Sequence, residues 1–201
     1  MNLIDKPFSP ACERNQAPIL GELQTRLVEK CVVLEIGSGT GQHAIYFAQH
    51  MPHVLWQCSD LKENLSGIQM WVDDARLSNV LKPIELDVSD PEVYKTYDAV
   101  YSCNTLHIMS KSNVVEFFNL VKSVTQKQSS LFVYGPFNYN GEYTSPSNAE
   151  FDVWLKERNL ESAIKDFEWI DELANDAGFF IVDDIEMPAN NRLLHWERLR
   201  E

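Results

Sequence analysis

The stretch Val33-Leu34-Glu35-Ile36-Gly37-Ser38-Gly39-Thr40-Gly41 constrains this chain more than any other. An apolar, β-branched run ends in three glycines at alternate positions. Ala44, Ile45, Phe47 and Ala48 then follow on one helical face. That order reads as strand, tight turn, helix. A glycine turn lets the backbone approach a ligand closely because no Cβ intervenes. The N–H groups of the first helical turn then point at whatever sits there. A dinucleotide fingerprint, G-x-G-x-x-G, would need a glycine at position 42, where Gln42 stands. The bland alternative is a tight turn that serves only the fold.

At 201 residues the chain is expected to form one domain with a full core. No apolar run approaches a membrane span, and the first residues lack a secretory pattern. Cys12, Cys31, Cys58 and Cys103 are scattered and form no C-x-x-C pair, which suits reduced thiols in a cytoplasmic protein. The net charge of −13, with 17 thinly spread Lys and Arg residues, disfavours nucleic acid and anionic membranes as partners.

Residues 1–15 read as an extended arm and 16–29 as a helix, with Pro18 in its first turn and Ile19, Leu20, Leu23, Leu27 and Val28 on its apolar face. Arg14 and Asn15 either solvate the helix entry or belong to an arm that folds over a ligand. The first strand is Cys31–Ile36, and its helix runs from about Gly41 to His50, stopped by Pro52. Val54–Ser59 is the second strand. Asp60 ends it, about twenty positions beyond the glycine turn, where a carboxylate can accept both hydroxyls of a nucleotide ribose. Asp60 also fits as the N-cap of a helix over Leu61–Leu77. Pro83–Val88 alternates as a third strand, with Asp87 at its carboxyl end, and Ser89-Asp90-Pro91-Glu92 reads as a helix start.

Tyr97–Cys103 is the fourth strand. It breaks at Asn104-Thr105-Leu106-His107 before a helix marked by Val114, Val115, Phe117, Phe118, Val121 and Val124. Such breaks are where ligands bind in open parallel sheets. His107 is either a satisfied loop histidine or part of an active site. Ser129–Gly135 is the fifth strand, and Pro136–Pro146 a long loop of the kind that often forms lids. Helices over Ser147–Arg158 and Phe167–Ala177 follow. The strands Phe179–Met187 and Leu193–Leu199 close the chain as a hairpin through residues 188–192. The sum is an α/β layout with a parallel sheet covered on both faces.

The G-x-G-x-G turn after Glu35, the acid at Asp60 and the closing hairpin resemble the class I S-adenosylmethionine (SAM) methyltransferases. Arg14-Asn15, Gly39–His43, Tyr134–Phe137, Thr144-Ser145 with Ser147-Asn148, Phe151-Asp152 and Met187–Asn191 together resemble the methyltransferase-like 26 family. The resemblance covers nearly the whole chain. It implies a Rossmann-like fold with a seven-stranded, mostly parallel sheet in the order 3-2-1-4-5-7-6. It implies SAM as cofactor, S-adenosylhomocysteine as product, and a cofactor site made by Glu35, Gly37, Ser38, Gly39, Gly41, Asp60, Asp87, Val88 and Asn104. Asp87 would meet the adenine amino group, with a neighbouring amide on the ring.

On this expectation residues 1–29 form an arm and helix over the site, and 136–160 a substrate loop and helix. The acceptor is a small molecule methylated on oxygen or nitrogen. His107 is the candidate base because its ordinary pKa lies near neutrality. Arg14, Asn15, Asn104 and Tyr139 are candidates for orienting the acceptor, Arg14 suiting a carboxylate or phosphate. The Asn/Asp-Pro-Pro-Tyr of amino-methyltransferases is replaced by Asn104-Thr105-Leu106-His107. No carboxylate cluster suggests a metal site, and His50-x-x-His53 reads as a solvated helix end. A SAM-binding sensor or an interaction protein without turnover is the alternative.

Overall fold

The computed structural model describes residues 6–93 and 95–199. The chain divides into two compact units, Met1–Asp87 and Val88–Glu201.

In the first unit, helix α1 spans Pro10–Arg26, so residues 10–15 of the expected arm are helical. Ser9 caps it, its Oγ accepting the Cys12 N–H, and Pro10 occupies the first turn with φ already helical. Pro18 therefore lies inside the helix, not in its first turn. Residues 6–9 carry no regular structure, with Ser9 extended; residues 1–5 of the expected arm lie outside the described residues. Strand β1 (Cys31–Ile36), helix α2 (Gln42–His50) and strand β2 (Val54–Asp60) fall where expected. β1 and β2 pair in parallel, Cys31 opposite Val54 and Ile36 opposite Ser59. Val33, Leu34, Phe47, Trp56 and Ile68 form the unit's core.

The expected helix over Leu61–Leu77 is shorter. Asp60 Oδ1 accepts both the Leu61 N–H and the Asn64 side-chain amide, each at 2.8 Å. Such local bonds compete with helical ones. One 3₁₀ turn (Lys62–Asn64) precedes helix α3 (Leu65–Ala75). Strand β3 is Val80–Glu85, three residues upstream of the expected strand. It takes the outer place in the order β3-β2-β1, where an internal proline is tolerated. The β2–β3 register breaks opposite Lys82 and Pro83. Asp87 consequently lies two residues past the strand, exposed.

In the second unit, no helix forms around Ser89–Glu92 among the described residues. Pro91 and Tyr97 stand too close for a stable helix between them. Strand β4 (Tyr97–Cys103) pairs in parallel with β5, which begins at Thr125 and ends at Gly135. The added length carries a register break, with Gln128 at φ 71°. Helices α4 (Lys111–Val124), α5 (Pro146–Arg158) and α6 (Phe167–Asp176) follow the expected pattern. Strands β6 (Phe179–Met187) and β7 (Asn191–Arg198) form the antiparallel hairpin, and β7 also pairs antiparallel with β5. The order here is β4-β5-β7-β6.

The expected long loop is largely structured. Phe137–Asn138 pairs in parallel with Lys165–Asp166 as a separate two-stranded ribbon. Asn140 and Gly141, at φ 52° and 76°, make a tight turn in which Tyr139 and Glu142 exchange backbone hydrogen bonds.

Candidate functional site

The glycine turn is held from beneath by the end of β2. Gly37, Gly39 and Gly41 all have left-handed backbones, at φ 77°, 57° and 88°. Gly37 N–H and Ser38 N–H both donate to the Ser59 carbonyl, at 3.1 and 2.9 Å. Ser38 Oγ accepts the Ser59 N–H and donates to Glu35 Oε2. Gly39 N–H donates to Asp60 Oδ2 at 2.6 Å. A Cβ on Gly41 would lie 3.1 Å from Ile68 Cγ2 and 3.2 Å from its Cα, so α3 packs directly on the turn. Over Gly39, by contrast, a Cβ would meet nothing within 4 Å.

Glu35 faces inward. Its carboxyl group is buried and also accepts the Trp56 indole N–H at 3.0 Å. Burial pushes its pKa to about 7, with the Asp60 charge adding to the rise and the Trp56 and Ser38 bonds restraining it. Its visible role is to brace Ser38 beneath the turn. Asp60 is also buried, and its carboxylate accepts three N–H donors, from Gly39, Leu61 and Asn64.

A cleft of about 520 Å³ opens on this turn, lined by Gly39, Thr40, Asn64 and Ser66 and, from the N-terminal segment, by Ser9 and Cys12. Gln42 Oε1 accepts the Ser9 N–H as well as the Thr40 hydroxyl. Trp71 Nε1–H donates to the Pro7 carbonyl at 2.7 Å, and Lys6 lies over the Trp71 ring. The sequence shows Gln42 only as the absence of a third glycine; its side chain in fact anchors the segment that borders the cleft. Asn64 was also unmarked, though its place four residues past Asp60 was a signal.

The two expected arm residues diverge. Arg14 is exposed. Asn15 is buried, with its Oδ1 2.7 Å from His43 Nε2, which ties α1 to α2. Burial holds the His43 pKa down to about 4, so the ring is neutral and donates Nε2–H to the amide oxygen.

In the second unit, Asn104 follows β4 with φ 57°, its N–H donating to the Tyr134 carbonyl at 2.8 Å. A Cβ on Gly135 would lie 3.7 Å from both Asn104 Oδ1 and His107 Nδ1, so β5 ends directly against these two side chains. His107 is buried and edge-on to Phe151 at 5.2 Å. Its pKa falls to about 4, first through burial and then through the Lys165 charge. Its loop is clamped from residues 162–165. The Ala163 N–H donates to the His107 carbonyl, Ser162 Oγ to the Ile108 carbonyl and Lys165 Nζ to the Met109 carbonyl, each at 2.9 Å. Buried Asp152 holds that clamp through the Ile164 N–H and also accepts the Tyr143 hydroxyl, both at 2.7 Å.

Tyr139 takes a different place. Its hydroxyl donates to Asp184 Oδ2 at 2.7 Å, and its ring stacks on Phe167. It lines a cleft of about 540 Å³ with Thr144, Asp184, Asn190 and Arg192, to which His107 and Asn104 do not contribute. Val88 is buried at the start of this unit. The expected helix-end histidines do not converge: His50 Nδ1 bonds to the Tyr46 carbonyl and His53 Nε2 to that of Leu27. Among the described residues no His, Cys, Asp or Glu cluster could hold a metal, and no helix is long and apolar enough to cross a membrane.

Solved structures share this fold. An O-methyltransferase family protein from Burkholderia thailandensis matches with a TM-score of 0.83 at 16% identity, over 94% of this chain and 57% of that one. The S-adenosylmethionine-dependent methyltransferase SibL, in its apo form, matches at 0.79 and 18%, over 94% and 56%. PigF with SAH matches at 0.76 and 13%, over 90% and 55%. The chain thus has the α/β, mostly parallel fold of these methyltransferase structures, and spans a little over half the length of each. The chain belongs to a family described as "Protein of unknown function (DUF938)", whose profile matches residues 6–198.

Proposed function

We propose that the chain is a SAM-dependent methyltransferase acting on a small molecule, at oxygen or nitrogen, with residues 1–201 as one functional domain. The observation that carries this reading is the glycine turn fixed on Ser59 and Asp60 beside an open cleft. Its volume lies in the range of small-molecule sites. The resemblance to the methyltransferase-like 26 family supports the same reading, as do the fold relatives, one of them solved with SAH.

The residues present fit the cofactor. The open space over Gly39 admits a close backbone approach, and Asp60, bonded to two residues that line the cleft, Gly39 and Asn64, has a carboxylate with room for a further donor beyond its three partners. Gly37 to Gly41 would surround the methionine part, Asp60 with Asn64 the ribose, and Asp87 and Val88 the adenine. SAM, when bound, supplies an electrophilic methyl group on a sulfonium. The protein's task is then to hold an acceptor in line and exclude water. In this reading Asn104 orients the acceptor. His107, neutral because burial takes its pKa from the expected near-neutral value to about 4, is the candidate to receive the acceptor's proton at a ring nitrogen, as a weaker base than its ordinary pKa implied. Of the other candidates for orienting it, Arg14 is exposed, whereas Asn15 is committed to His43 and Tyr139 to Asp184 in a separate cleft.

Calorimetric titration with SAM and with S-adenosylhomocysteine tests the reading. Binding to the wild type and strong weakening in Asp60→Ala are expected. If neither ligand binds the wild type, the methyltransferase reading fails.

A further inference from the structure

Asn138 is the next polar side chain after β5 ends at Gly135, and it is about nine-tenths buried. Its Oδ1 has no hydrogen-bond partner, although it is shielded from solvent. Buried polar atoms are nearly always paired, and leaving one unpaired costs stability. An apolar residue of similar size would remove that cost.

Its position suggests what it is kept for. Asn138 lies three residues beyond Gly135, the glycine that approaches Asn104 Oδ1 and His107 Nδ1. Its strand pairs with Lys165–Asp166, the segment whose Lys165 grips the Met109 carbonyl next to the His107 loop. The unpaired oxygen therefore belongs to the same end of β5 as the candidate base. A carboxamide oxygen accepts but does not donate, so what it lacks is an O–H or N–H group.

We infer that Asn138 is a substrate-positioning residue whose Oδ1 accepts a hydrogen bond from a hydroxyl or amine of the methyl acceptor. The inference rests on the methyltransferase reading. It narrows the acceptor to molecules that carry such a donor beside the methylated atom, and it sets aside fully alkylated or purely apolar ones. A site built around a buried acceptor discriminates strongly against analogues that lack the donor, because the oxygen is then left unpaired.

The test compares wild type with Asn138→Leu in three measurements. These are thermal unfolding, SAM titration, and methyl transfer from labelled SAM into a small-molecule extract. The expected result is a Tm raised by about 2–4 °C, SAM affinity unchanged within about twofold, and labelling of the acceptor reduced at least tenfold. Asn138→Ser, which restores an acceptor oxygen, should recover part of the labelling. A lowered Tm in Asn138→Leu would show that the carboxamide supports the fold and overturns the inference. So does labelling equal to wild type. If the wild type itself labels nothing, the methyltransferase reading falls and takes this assignment with it. That outcome is distinct from one in which wild type and variant label the same compound equally.

Discussion

The main-chain N–H of Gly39 donates to Asp60 Oδ2 across 2.6 Å, joining the middle of the glycine turn to the end of the neighbouring strand. One carboxylate thus shapes the turn, holds the Leu61 N–H and restrains Asn64. Asp60→Ala should leave these donors unpaired and cost about 2–3 kcal/mol of stability. SAM affinity should fall at least tenfold in the same variant. Urea unfolding and calorimetry read the two effects separately. Loss of stability with unchanged SAM affinity would confine Asp60 to a structural role.

Glu35 predicts a pH effect of defined sign. Its pKa is raised to about 7 in the fold, chiefly by burial, above the ordinary 4.5. Between those values the folded state holds a proton that the unfolded chain releases. Its contribution is therefore fully present below about pH 4.5 and is lost as pH rises through about 7. Glu35→Gln keeps an oxygen for Ser38 and Trp56 without a charge to bury. It should raise Tm by a few degrees at pH 8 and leave it nearly unchanged at pH 4.5. A variant less stable than wild type at pH 8 would count against this account.

The parts of the fold legible in the sequence were those set by local patterns. Cys31–Ile36 and Tyr97–Cys103 are apolar runs with clear punctuation, and both strands have those bounds. The third strand was misplaced because Pro83 read as its start, whereas an outer strand accommodates proline within it. The arm was misread because Pro18 looked like a helix entry, while the cap at Ser9 depends on a single hydroxyl. In the site, the glycine turn and Asp60 could be named from spacing. Their mutual bond, the anchoring by Gln42, the inward turn of Asn15 to His43 and the separation of Tyr139 from His107 could not. Those depend on side chains from distant elements meeting in space.

The N-terminal segment should open when its anchors are removed. Ser9 N–H is held by Gln42 Oε1, and a Cβ on Gly67 would approach Pro7 Cγ to 2.7 Å. Gln42→Ala should speed amide exchange at Ser9 by an order of magnitude and cost about 1 kcal/mol. Gly67→Ala should displace the segment without touching Gln42 and so produce the same exchange signature. Exchange at Ser9 equal to wild type in both variants would show that the segment is held elsewhere.

His107 and Lys165 make the last prediction. The His107 pKa is depressed to about 4, first by burial and second by the Lys165 charge. Lys165 is itself buried, its Nζ donating to the Met109 and Ala163 carbonyls. Because the folded pKa lies below the ordinary 6.5, the stability His107 contributes is present above pH 6.5 and is lost as pH falls through about 4. As a base, His107 is already unprotonated at neutral pH, so methyl transfer should show its inflection near pH 4, with no step at 6.5. Lys165→Met removes the charge but leaves the burial. The His107 pKa, followed by NMR of labelled histidine, should then rise while staying below 6.5, and the inflection in methyl transfer should rise with it. A pKa that does not move would show that Lys165 serves only the backbone carbonyls. A rise to the ordinary value would show that the charge, and not burial, sets the state of the ring.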